Sequence, residues 1–146
     1  MFCCFRSKTE EEESTDDLGK NMTLEYKKKF LVLVVDDDPH CQTVHLAIIG
    51  AAGGFGYLAE NGEEAVNRYR DGEYFNLIIM DNEMPLMDGV TATKMLRDME
   101  VTSVIVGMTS HEDEYDAFME AGADHCLEKP LTFGKIDSIF DQIKNA

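Results

Sequence analysis

The sequence predicts an α/β domain: a doubly wound, five-stranded parallel sheet with five helices around it. Three observations carry this. Five short apolar runs recur along the chain, the clearest being FLVLVV at 30–35 and LIIM at 77–80. Segments with apolar residues at helical spacing separate them, and that alternation is the rhythm of parallel strands joined by right-handed helical crossovers. Polar groups then cluster where four of the runs end, at Asp36-Asp37-Asp38, Asp81, Thr109-Ser110 and Lys129. Open α/β sheets bind their ligands outside the carboxyl ends of their strands.

Taken in order, 30–35 is a continuous β-branched run, as expected of a strand buried on both faces. Asp38 precedes Pro39 and is expected to cap the first helix, over 39–52, with Val44, Ile48 and Ala51 on its inward stripe. Gly53-Gly54 ends that helix. A short strand at 56–60 is followed by an Asn61-Gly62 turn. The helix at 63–70 then faces Ala65, Val66 and Tyr69 inward. Strand 75–80, a loop around Pro85, helix 89–99, strand 103–108, helix 112–121, strand 124–128 and helix 132–144 complete the pattern. Gly50, Gly53, Gly54 and Gly56 do not form a nucleotide loop. Their spacing is not G-x-G-x-x-G and they follow a helix rather than a strand.

The 146 residues suit one domain, and 44% hydrophobic with 29% charged residues is an ordinary globular composition. The net charge of −16 argues against nucleic acid as a partner, since Lys and Arg on phosphates drive such binding. Residues 1–25 carry Glu10–Glu13, Asp16 and Asp17 with no apolar period, which predicts a flexible acidic tail ahead of a domain at 26–146. Cys3, Cys4, Cys41 and Cys126 match neither a zinc pattern nor a disulfide framework and are read as reduced intracellular thiols. No run is long enough to span a membrane. Phe2 excludes N-myristoylation. The four histidines share no metal-binding spacing along the sequence.

The strand-end residues have a joint chemistry. Asp36, Asp37 and Asp81 at neighbouring strand ends would repel in a partly dry crevice. A hard divalent cation relieves this, and an all-oxygen donor set favours Mg2+. A carboxylate beside Mg2+ can attack phosphorus, with the Thr109 hydroxyl and the Lys129 ammonium holding the transferred oxygens. Asp81 would become an aspartyl phosphate.

The four segments VVDDDP (34–39), MDNEMPLMDG (80–89), GMTS (107–110) and LEKP (127–130) together resemble the receiver domain of two-component response regulators. The resemblance spans about 29–145. It implies a flavodoxin-like sheet of order 2-1-3-4-5 and phosphoryl transfer to Asp81 from the phosphohistidine of a histidine phosphotransfer protein. It also implies Mg2+ bound by Asp37, Asp81 and the backbone carbonyl of Glu83, with Asp36 acting through water, and Thr109 and Lys129 on the phosphoryl group. Within the family, the chain is most similar to stand-alone plant type-C receivers, which work in cytokinin signalling without a DNA-binding output domain. The chain is expected to be a monomer of the cytoplasm, with the nucleus as a further place, and in one of two uses to hydrolyse the phosphoryl group and so drain phosphate from its donor. The other use is a partner-binding switch or scaffold.

Two departures stand out. The position three before Lys129 is Cys126, where many receivers use an aromatic ring as a rotamer switch. Glu83 and His111, two residues after Asp81 and Thr109, flank the path of an attacking water. They are expected to tune phosphoryl lifetime, His111 either orienting water or capping a helix. The donor is expected to meet the Met84–Met87 loop and the first helix, with Met84 and Met87 mainly packing. A phosphatase of the haloacid-dehalogenase type would need Asp where Glu83 stands.

Overall fold

A computed structural model describes residues 30–145. The predicted acidic tail lies outside the described residues. Strands β1 (Leu31–Val35), β2 (Phe55–Ala59), β3 (Leu77–Asp81), β4 (Val104–Thr109) and β5 (His125–Glu128) alternate with helices α1 (Pro39–Ala51), α2 (Gly62–Arg70), α3 (Gly89–Asp98), α4 (Glu114–Ala121) and α5 (Phe133–Lys144). The strands form one parallel sheet of order β2-β1-β3-β4-β5, as the sequence predicts. Element ends differ from the predicted ones by one or two residues, most visibly at Asp81, which closes β3 instead of following it.

Alternation along the buried strands splits the core in two. Leu33, Val35, Ile78, Met80 and Ile105 face one side, where Ala65 and Val66 of α2, Ala92 and Leu96 of α3 and Phe118 of α4 cover them. Val32, Val34, Leu77, Ile79, Val106 and Met108 face the other, under Ile49 of α1 and Ile136, Ile139 and Phe140 of α5. Burying each large side chain contributes about 1.5–3 kcal/mol, so these two layers supply the main driving force. Gly107 lets the Phe118 ring lie on β4, because a Cβ there would stand 2.6 Å from the ring.

All the helices but α4 start where side chains satisfy free backbone N–H groups. Asp38, Asn61, Asp88 and Thr132 accept from the N–H of His40, Glu64, Thr91 and Lys135. Asp38 therefore caps α1 as expected.

The inward face of α1 matches the expectation at Ile48, which packs on the core, but differs at its neighbours. His45 and Ile49 are buried, whereas Val44 is 39% exposed and Ala51 is also exposed. Residues 44–52 are apolar around most of the helix, so periodicity alone cannot select a face. Close packing selects it: Leu46 fills the space over Gly56, and Ile49 meets Gly54.

One arginine ties the far edge together. The Arg97 guanidinium donates to the carbonyls of Gly122 (2.8 Å), Val101 (2.7 Å) and Ser103 (2.9 Å) and to Asp124 Oδ2 (2.8 Å), which also accepts the Ile105 N–H. Replacing Arg97 with Ala strands these acceptors. It should lower the urea unfolding free energy by about 2–4 kcal/mol. Arg97→Lys should recover only part of the loss, since one ammonium cannot reproduce the planar fork.

Candidate functional site

Strand register builds the site. Val35 lies opposite Met80, so Asp36 and Asp81 leave neighbouring central strands side by side. Thr109 lies opposite Glu128, which places Lys129 next to Thr109, and the Lys129 N–H donates to the Thr109 carbonyl at 2.9 Å. The Lys129-Pro130 bond is cis. Carboxylate oxygens of Asp36, Asp37 and Asp81 lie within 4.8 Å of one another. Asp36 and Asp81 are 2% and 5% exposed, while Asp37 faces solvent.

Local bonds hold these groups in place. Asp36 Oδ1 accepts the Asp38 N–H at 3.0 Å, and the Asp36 carbonyl accepts from Gln42 Nε2 at 2.6 Å. Asp36 Oδ2 is buried with no hydrogen-bond partner. Lys129 Nζ contacts Asp81 Oδ1. Gly89, the first residue of α3, lets that helix approach the end of β3. A Cβ there would stand 2.1 Å from the Asp81 carbonyl oxygen. The Gly89 N–H donates to the Asn82 carbonyl at 3.1 Å.

The electrostatics follow from this burial. Desolvation raises the Asp81 pKa to about 6, and the Asp36 and Asp37 charges add to the rise while Lys129 opposes it. Burial works to lower the Lys129 pKa, but the bond to Asp81 and the field of Asp36 outweigh it, so the ammonium is held above the ordinary lysine value. Burial, reinforced by Glu114, pushes the Cys126 thiol up to about 11, so it stays protonated at neutral pH.

The structure thus brings Asp36, Asp37, Asp81, Thr109 and Lys129 to one edge of the sheet. Thr109 Oγ1, however, donates to Glu114 Oε1 and accepts the His111 N–H at 3.0 Å. Glu114 Oε2 accepts from the Asn82 amide. The Glu83 carboxylate meets His111 Nε2 at 3.1 Å, both side chains being well exposed. His111 does not cap α4 with its side chain; its carbonyl accepts the Glu114 N–H. Met84 and Met87 pack on the core as expected, which leaves Leu86 as the exposed apolar residue of the loop. Sequence reasoning missed Asn82, Gly89 and Glu114. Asn82 had the signal of adjacency to Asp81, whereas Glu114 had none, because only the fold brings it to Thr109.

The donor set fits a hard divalent cation. Three carboxylates converge, all donors are oxygen, and one buried oxygen lacks a partner. Beside it stands a partly desolvated carboxylate with an ammonium in contact, an arrangement suited to nucleophilic attack on an electrophile bearing anionic oxygens.

A family model described as the response regulator receiver domain matches residues 32–141. The two-component response regulator ARR22 of Arabidopsis thaliana is 52% identical over 139 residues, covering 92% of this chain and 98% of that protein. Among solved structures, the receiver domain of sensor histidine kinase PA1611 from Pseudomonas aeruginosa has a magnesium ion coordinated in its active-site cleft. It aligns at TM-score 0.73 and 26% identity, over 81% of this chain and 99% of that one. A co-crystal structure of the yeast histidine phosphotransfer protein Ypd1 with the receiver domain of Ssk1 aligns at TM-score 0.68 and 26% identity, over 80% of this chain and 87% of that one.

Proposed function

The chain belongs to the response regulator receiver domain family, and we propose that it accepts a phosphoryl group on Asp81 from a phosphohistidine of a histidine phosphotransfer protein and then releases it to water. The observation that carries this reading is the buried Asp81 carboxylate, grouped with Asp36 and Asp37 and in contact with Lys129. The receiver domain occupies 26–146, with 1–25 as an acidic tail.

An Asp81 carboxylate oxygen attacks the donor phosphorus. A P–O bond forms, the P–N bond breaks, and the imidazole leaves neutral, taking one proton. Asp36, Asp37, Asp81 and the Glu83 backbone carbonyl would hold Mg2+. When bound, it neutralises the crowded carboxylates and screens the charge of the incoming phosphoryl oxygens. Lys129 moves its ammonium from Asp81 to a phosphoryl oxygen. Thr109 turns its hydroxyl from Glu114 to another. Hydrolysis is the second displacement: water attacks phosphorus, the P–O bond to Asp81 breaks, and the carboxylate and inorganic phosphate are released. The open mouth of the site, where the Glu83 and His111 side chains are 70% and 58% exposed, favours this turnover and hence a phosphate drain over a long-lived switch.

The test is residue-specific. The chain is incubated with a small acyl phosphate and Mg2+, trapped with borohydride, and mapped by peptide mass. Reduction of the aspartyl phosphate should convert Asp81 to homoserine, and only when Mg2+ is present. Modification at another acid, or none at any, would remove Asp81 as the acceptor.

A further inference from the structure

We propose that Glu83, His111 and Glu114 form a second cation site at the mouth of the acidic pocket, one that takes a transition-metal ion such as Co2+ or Zn2+ in preference to Mg2+. The three residues come from the loop after β3, the loop after β4 and the first position of α4. One ligand atom of each lies within 4.8 Å of the others. His111 Nε2 already stands 3.1 Å from Glu83 Oε1. Bonds of about 2.0–2.2 Å to a tetrahedral ion set ligand atoms about 3.3–3.6 Å apart, so the more distant of these atoms must draw in by up to about 1.5 Å. Glu83 and His111 are exposed and free to make that adjustment.

The donor set separates this site from the one at Asp81. One imidazole nitrogen with two carboxylates suits borderline ions, whereas three carboxylates suit Mg2+. Glu114 is also held as a ligand should be. Thr109 and Asn82 each donate to one of its oxygens, and each oxygen keeps a lone pair. Such outer bonds orient a ligating carboxylate. The field favours a cation as well, since the chain carries a net charge of −16. A bound ion would tie the loops after β3 and β4 to each other beside Asp81. None of this depends on Asp81 accepting phosphate.

The test titrates Co2+ into the full chain in excess Mg2+ and follows visible absorption, with Zn2+ as competitor. The expected result is one Co2+ per chain, with the weak bands of nitrogen and oxygen ligation. Affinity should fall at least about 10-fold in His111→Ala and in Glu114→Gln and hold in Asp37→Asn. Glu83→Gln provides a third variant on an exposed side chain should either of the others fail to fold. Equal affinity in the folded variants, loss in Asp37→Asn, or binding only with thiolate charge-transfer bands would overturn the proposal.

Discussion

Replacing Asp81 with Asn will stabilise the metal-free domain, and the gain will depend on pH. Asp81 is 5% exposed, and its pKa is raised from 3.8 to about 6, burial being the largest cause. Between those values the folded chain keeps a proton that the unfolded chain has released. Stability therefore falls as pH rises from about 4 to about 6, and the deficit persists above that. Asn approximates the protonated acid, so wild type and variant should be nearly equal at pH 4. Above pH 6.5 the variant should lead by about 1–3 kcal/mol. Thermal melts without metal, compared across pH 4–8, read this difference directly. Saturating Mg2+ should close the gap from the wild-type side by neutralising the carboxylates. A constant offset across the pH range would mean that Asp81 is not the strained charge.

Gly89→Ala will damage the fold at the site itself. The added methyl would stand 2.1 Å from the Asp81 carbonyl oxygen and 2.9 Å from Met80 Cγ. Neither β3 nor the first turn of α3 can yield easily, since Asp88 caps α3 and the Gly89 N–H is bonded to Asn82. A loss of about 2–4 kcal/mol is expected, lowering the melting temperature by about 10 °C. The variant that still folds should have weakened Mg2+ affinity, because relieving the clash displaces the end of β3. By contrast, Gly50→Ala has open space around its Cβ and should leave both quantities intact.

The strands were legible because a parallel sheet buried on both faces leaves unbroken apolar runs such as Val32–Val35. The acceptor edge was legible too, since Asp36, Asp37, Asp81, Thr109 and Lys129 each follow or end a strand. What pairs across the fold was not. The bond from Thr109 to Glu114 and the meeting of Glu83 with His111 join segments whose approach depends on how the loops turn. The face of α1 was misread at Val44 and Ala51, which turn to solvent although Ile48 on the same stripe packs on the core, because that stripe is as regular as the one through His45 and Ile49. A polar residue such as His45 carries no hydropathy signal for burial, yet it lies 8% exposed. Arg97 had no signal in the sequence either, although its guanidinium is bound on every nitrogen.

The most direct test of phosphoryl acceptance is to mix this chain with a radiolabelled phosphohistidine phosphotransfer protein, with and without Mg2+, alongside Asp81→Asn. Label on both proteins and free phosphate are followed in time. The account predicts Mg2+-dependent loss of label from the donor, requiring Asp81, with inorganic phosphate appearing promptly. Label that persists on this chain would contradict the drain and leave a switch. A donor that keeps its label, or loses it equally to Asp81→Asn, would contradict phosphoryl acceptance itself.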